Sequence, residues 1–175
     1  ILMNELGVAF GSASGTVDGS RYSHPAAHFE WLVRFARPLG LGFSDLGKRG
    51  HGTPSTLFFC DELLRIYGSE DASTAEGASY AVEHWAAAGF WKELIAGLRA
   101  FRSRECAELH LGFWVWHDKV EDQHAAHTAD ELREAWSTPG FSAERFLAGA
   151  EEMLAGVKAF WDGLEADRRA QRSAA

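Results

Sequence analysis

The sequence predicts an all-α fold, and two observations support this. Apolar residues recur at helical spacing in successive segments, as in Phe29, Leu32, Val33 and Ala36. No stretch shows the sustained alternation with β-branched residues that is typical of a half-buried strand. Because 175 residues fall within the usual size of one domain, we expect a single domain over residues 1–175 with about seven helices.

The helix boundaries follow from turn and cap residues. Thr53-Pro54 predicts one helix start, Ser73 with Glu76 predicts a capping box, and Ser142 predicts the start of the last helix. The expected elements are a helix at 1–10, a Gly/Ser-rich loop at 11–23, and helices at 26–36, 54–67, 73–88, 90–101, 108–127 and from 143 onward, with a kink near Gly89. Since the chain opens as if within a helix, we expect that it lacks an N-terminal segment.

Composition excludes several classes of function. The formal net charge of −8 disfavours a nucleic-acid-binding surface, and no apolar run approaches the length of a membrane span. Cys60 and Cys106 are too few for a disulfide framework, which favours a reducing, cytoplasmic location. We therefore expect a small-molecule partner and no nucleic acid or membrane, and we leave a homodimer open.

The most informative motif is a polar stripe on the helix predicted over 108–127. His117, Glu121 and His124 fall at about 0°, 40° and −20° around a helix with 100° per residue, so that two imidazoles and a carboxylate share one face. Trp114, Val115, Trp116 and Val120 surround the stripe with apolar bulk. Because polar groups in such surroundings need a partner, the stripe predicts a metal-binding face rather than a solvated one.

Further ligands must come from other helices. Glu83 lies in an apolar, small-residue segment, His28 begins the second helix, and Glu5 is the only acid of the first segment. Glu5 could instead be an exposed helix acid, His28 an ordinary helix-start histidine, and His84 could replace Glu83. Three carboxylates and three imidazoles suit a pair of iron or manganese ions better than structural zinc, with carboxylates bridging the two metals.

These residues resemble the heme-oxygenase-like di-iron oxidases, relatives of the thiaminase-II and pyrroloquinoline-quinone synthase C fold. His117-x-x-x-Glu121-x-x-His124 is similar to the family's His-x-x-x-Asp-x-x-His helix, although Glu121 stands where Asp is usual. The segment from His28 to Leu-Gly-Leu resembles the family's His-led helix, and Asn4-Glu5 resembles its preceding segment. Glu83 falls where the bridging glutamate is expected.

The resemblance implies a heme-oxygenase-like helical bundle and a function. Two Fe(II) ions, held by Glu5, His28, Glu83, His117, Glu121 and His124, would activate O2 to oxidise a small amino-acid or fatty-acid-like substrate. The outcome would be desaturation, hydroxylation, N-oxygenation or cleavage, in natural-product biosynthesis. Tyr80, Trp85, Phe113 and Trp114 are expected to line the substrate pocket, although core packing is the alternative for each.

Two other classes stay open. A cofactor-free relative, such as a thiaminase-II-like hydrolase, would use a cysteine nucleophile, but neither Cys60 nor Cys106 has a sequence neighbour that would activate it. An all-α interaction module with structural histidines is the non-enzymatic alternative. Iron content separates these classes from the oxidase.

Overall fold

The computed structural model describes residues 5–9 and 20–173, and most of them are helical. This confirms the predicted all-α class, while the heme-oxygenase-like arrangement of seven helices stays a prediction. The α-helices are α1 (His28–Ala36), α2 (Pro54–Tyr67), α3 (Ala72–Trp85), α4 (Trp91–Arg104), α5 (Gly112–Trp136) and α6 (Ala143–Ser173). Short 3₁₀ turns lie at His24–Ala26, Arg37–Leu39, Phe43–Asp45 and Arg49–His51. In the described part of the chain, no helix has both the length and the hydropathy needed to cross a bilayer.

The chain divides into two compact units, each built from two separate stretches of sequence. The first unit comprises the chain up to Gly47 together with Phe90–Val120, and the second comprises Lys48–Gly89 together with the chain from Glu121 onward. Helix α5 therefore contributes its first residues to one unit and the remainder to the other. A single domain over residues 1–175 stays a prediction.

The first unit contains a short strand pair that the sequence did not predict. Strand β1 (Val8–Ala9) pairs antiparallel with β2 (Arg21–Tyr22). The expected helix over 1–10 is wrong at β1, because Gly7 has φ +82° and turns the chain out of the helix. A side chain at Gly7 would also collide with the carbonyl oxygen of Ser23, 2.5 Å from the Cβ position. Residues 1–4 and 10–19, which include much of the predicted loop, lie outside the described residues.

The second unit is organised by the packing of α2 and α3 on α6. Its buried core consists of Ile66, Ala78, Met153 and Val157, with Phe59, Leu63, Val82, Trp85 and Trp161 packed against them. Gly77 of α3 and Gly149 of α6 allow the two helix backbones to come into direct contact. This packing fixes α3, the helix that carries Glu83.

The helix starts are largely those the sequence predicts. Thr53 caps α2 through a hydrogen bond from the amide of Thr56, and Ser142 accepts a hydrogen bond from the amide of Arg145 at the start of α6. The capping box expected at Ser73 is wrong, because Asp71 is the N-cap of α3 and accepts a hydrogen bond from the Thr74 amide at 3.0 Å. Both residue types are good caps, and the earlier one prevails.

Helix α3 is tied to the start of α6 by a side-chain hydrogen bond and is followed by a kink. Ser73 lies inside α3, and its Oγ accepts a hydrogen bond from the backbone amide of Ser142 at 3.0 Å, which ties α3 to the start of α6. The kink predicted near Gly89 is confirmed, since this residue has φ +114° in a π-helical turn, Ala86–Phe90.

Candidate metal centre

The structure brings the six predicted metal ligands together as two triads. The first triad is Glu5, His28 and His117, and the second triad is Glu83, Glu121 and His124. In each triad, one potential ligand atom from each residue lies within 4.8 Å of the other two. All members of the first triad belong to the first unit, and all members of the second belong to the second unit.

In the first triad, one carboxylate oxygen faces two imidazoles. Oε1 of Glu5 lies 2.8 Å from Nδ1 of His28 and 3.5 Å from Nε2 of His117. His28 is only 2% exposed and comes from the first turn of α1, while His117 comes from α5. Three donor atoms from three segments of the chain thus face a common point.

The orientation of His117 is set by its own helix. Nδ1 of His117 lies 2.7 Å from the carbonyl oxygen of Phe113, one turn earlier. Because a carbonyl oxygen can only accept, Nδ1 carries a proton and Nε2 is left to face Glu5, with a lone pair in the neutral ring and an N–H in the protonated ring. A lone pair that faces a carboxylate oxygen needs a cation or proton between them. Histidines that bind metals usually donate their second nitrogen to a carbonyl or carboxylate in this way.

Aromatic rings surround the two histidines of the first triad. The Trp31 ring stacks on His28 with a centroid distance of 5.0 Å, and the Phe113 and Trp91 rings lie 4.4 Å and 5.2 Å from His117. These rings keep water away from the imidazoles, and electrostatic interactions are stronger where water is excluded.

The charge state of Glu5 follows from these contacts. Burial raises its pKa, but hydrogen bonds and charge interactions with His117 and His28 outweigh this effect, so the pKa of Glu5 lies below its ordinary value. The carboxylate is therefore ionised near neutral pH, the form that binds a metal.

The second triad places two carboxylates beside one imidazole. Oε2 of Glu83 lies 3.4 Å from Nδ1 of His124, and Glu121 is only 4% exposed. Burial raises the pKa of Glu83, but hydrogen bonds with His124 and Glu121 and the charge of His124 bring that pKa below its ordinary value. Two carboxyl groups in contact and shielded from water require a shared proton or a cation. A bridging role for Glu83 stays a prediction.

The four residues expected to line a substrate pocket lie in different surroundings. Tyr80 stacks on His84 with a centroid distance of 3.8 Å, and Trp85 packs against the core of the second unit. Phe113 contacts His117, and Trp114 packs on Phe35 with ring centroids 5.2 Å apart. Tyr80 and Trp85 belong to the second unit, whereas Phe113 and Trp114 belong to the first.

Sequence reasoning missed a cleft in the first unit. Its volume is about 420 Å³, and it is lined by Trp31, Arg34, His110, Gly112, Phe113, Val115, Trp116 and Lys119. Phe113 is the one predicted pocket residue among these. The signal available in the sequence was a cation three residues from a tryptophan on each of two helices, Trp31 with Arg34 and Trp116 with Lys119.

Comparisons with protein-family models, with curated proteins and with solved structures find no match to this chain. The features that bear on function are therefore the two triads. Their donors are carboxylate oxygens and imidazole nitrogens without a thiolate, a set that suits iron and manganese. The convergence of a carboxylate on the lone pair of His117, and the contact between the carboxyl groups of Glu83 and Glu121, fit the presence of a divalent cation in each triad.

Proposed function

We propose that the protein is a non-heme di-iron oxidoreductase that uses O2 to oxidise a small organic substrate. The observation that carries the proposal is the pair of carboxylate-imidazole triads, in which His28, His117 and Glu121 are buried. Helix α5 supplies His117 to the first triad, and Glu121 and His124 to the second. His117 and Glu121 are about one helical turn apart, so one helix can provide ligands for two metal positions.

In this proposal, Glu5, His28 and His117 would hold one Fe(II) ion, and Glu83, Glu121 and His124 would hold the other. Manganese is the alternative metal, because it accepts the same oxygen and nitrogen donors. The bound iron would supply the electrons that activate O2 for oxidation of a C–H or N–H bond.

The residues of this chain supply orientation and a protected environment. The Phe113 carbonyl holds His117 with Nε2 facing the carboxylate of Glu5. Trp31, Phe113 and Trp91 shield the imidazoles from water, which limits the unproductive loss of reactive species to solvent. The three carboxylates of the two triads balance most of the charge of two divalent ions.

The cysteine-dependent hydrolase has less support. Cys60 is exposed, and the Sγ of Cys106 lies 3.9 Å from the carbonyl oxygen of Pro38, a contact that provides no base. An activated thiol needs an adjacent base or cation. These surroundings favour the metal-dependent function.

The proposal further includes an amino-acid or fatty-acid-like substrate, a role in natural-product biosynthesis and a cytoplasmic location.

Metal stoichiometry tests the proposal. The protein is loaded with Fe(II) under anaerobic conditions, passed through a desalting column and analysed for iron, and O2 uptake is then measured with an oxygen electrode. We expect about two irons per chain, as in other di-iron carboxylate proteins, and O2 uptake that depends on the iron. A chain that retains no iron and consumes no O2 would overturn the proposal and leave the hydrolase and the interaction module.

A further inference from the structure

The cleft in the first unit combines aromatic surface with positive charge. Trp31, Phe113 and Trp116 provide its aromatic walls, and Arg34 and Lys119 contribute two cations. Among the described residues that line the cleft, none is an aspartate or glutamate, although the whole chain has a formal net charge of −8. A positively charged cleft in an acidic chain is complementary to an anion.

The two cations remain available for a ligand. Arg34 and Lys119 are both exposed, and among the residues that the structure describes, neither has an ion-pair contact with an acid. Nζ of Lys119 lies 5.6 Å from the centre of the Trp116 ring, a cation–π contact that holds the ammonium beside an aromatic wall. A carboxylate bound here would gain charge-assisted hydrogen bonds.

The aromatic walls of the cleft also contact the histidines of the first triad. Trp31 stacks on His28, Phe113 contacts His117, and the ring of Trp116 lies edge-on to His28 with a centroid distance of 6.5 Å. A molecule lying on these rings would be separated from the imidazoles by a single layer of side chains. The cleft is therefore next to the first triad within the first unit.

We propose that this cleft binds an organic monocarboxylate with a flat, apolar body. The carboxylate interacts with Arg34 and Lys119, and the apolar body lies on Trp31, Phe113 and Trp116. The volume of about 420 Å³ falls in the range of small-molecule sites. That this acid is the substrate rests on the di-iron function proposed above, and it narrows the substrate named there to a flat acid in place of a fatty-acid-like one; binding of the acid does not require metal.

Isothermal titration calorimetry of the purified 175-residue chain tests the proposal with 2-naphthoate, its neutral analogue 2-naphthamide, and decanoate. We expect 2-naphthoate to bind at least about tenfold more tightly than 2-naphthamide, because the amide cannot form the charge-assisted contacts. Equal affinities for the acid and the amide would overturn the role of the cations. Binding of decanoate without binding of 2-naphthoate would overturn the proposal that the ligand has a flat body.

Variants locate the site. Arg34→Gln with Lys119→Gln should weaken 2-naphthoate binding by about tenfold or more. The control, Lys92→Gln with Arg99→Gln, removes the same charge from exposed positions of α4 outside the cleft lining and should bind as the unmodified chain does. Val115→Trp places a large side chain in the cleft at an exposed position and should abolish 2-naphthoate binding. Undiminished binding in both cleft variants would overturn the assignment.

Iron content is measured on the same samples and separates this proposal from the preceding one. Acid binding by a chain that takes up no iron would support the cleft and defeat the oxidase. Iron uptake and O2 consumption without any acid binding would leave the oxidase standing and defeat the cleft.

Discussion

Gly149 of α6 lies directly against the backbone of Thr74 in α3. A Cβ atom at Gly149 would be 2.1 Å from the Thr74 carbonyl oxygen. The contact is reciprocated less than one turn away on each helix, where a Cβ at Gly77 would be 1.9 Å from the carbonyl oxygen of Phe146. The two helices are therefore in backbone contact at both positions, and neither position has room for a side chain.

Alanine at Gly149 should destabilise the protein. The methyl group has to push α3 and α6 apart, and overpacking of this kind typically costs about 1–3 kcal/mol. The measurement is urea denaturation followed by circular dichroism. Gly97→Ala in α4 is the matched control, because a Cβ there meets nothing within 4 Å and alanine favours the helix. Equal unfolding free energies for the two variants would contradict the close approach.

Ile66 should be one of the side chains that contribute most to stability in the second unit. It is 1% exposed and belongs to the core with Met153. Ile66→Ala removes buried methyl groups and leaves a cavity, so the free energy of unfolding should fall by about 2–5 kcal/mol. Leu64→Ala, on the same helix but 77% exposed, should change it by no more than about 0.5 kcal/mol. A small effect at both positions would contradict the burial of Ile66 in this core.

Asp71 should make stability depend on pH at the acidic end. The side-chain hydrogen bond from Arg145, together with the amide hydrogen bond from Thr74, lowers the pKa of Asp71 below its ordinary 3.8. A carboxyl group with a lowered pKa in the folded state stabilises the fold fully above its ordinary pKa, and this contribution is lost as the pH falls below that value.

Thermal melts of wild type and Asp71→Asn at several pH values check this expectation. Asparagine still caps a helix but does not ionise. The difference in melting temperature between the two proteins should be largest near neutral pH and should shrink as the pH falls from about 4. A difference that is constant with pH would exclude the ion pair with Arg145 as its source.

Glu83→Ala should remove metal from the second triad. Only Glu121 and His124 would remain there as donors, so we expect the iron affinity of this triad to fall by at least about tenfold and O2-dependent turnover to be lost. Iron analysis after anaerobic loading measures the first effect, and an oxygen electrode measures the second. Glu93→Ala, an exposed acid of α4, and His51→Ala, an exposed loop histidine, are controls expected to retain both. Wild-type iron content in Glu83→Ala would refute the assignment.

The sequence was most informative where the signal is local. The stripe on α5 could be predicted because helical geometry places His117, Glu121 and His124 on one face, and Thr53 and Ser142 carry cap chemistry in their own side chains. The division of the stripe between two triads was not predictable, because it depends on which residues α1 and α3 bring to it. The cation-lined cleft was missed for the same reason, since Arg34 and Lys119 come together only through packing.

The unequal composition of the two triads has a consequence for metal discrimination. Glu5 stands with two imidazoles, whereas His124 stands with two carboxylates. Nitrogen-rich sites favour the later transition metals, including zinc, and oxygen-rich sites favour harder cations such as manganese and magnesium. In a cell that contains all of these ions, the ions would compete for the two triads, and each triad would prefer a different metal. A chain that takes up metal from such a mixture is therefore expected to hold two different metals.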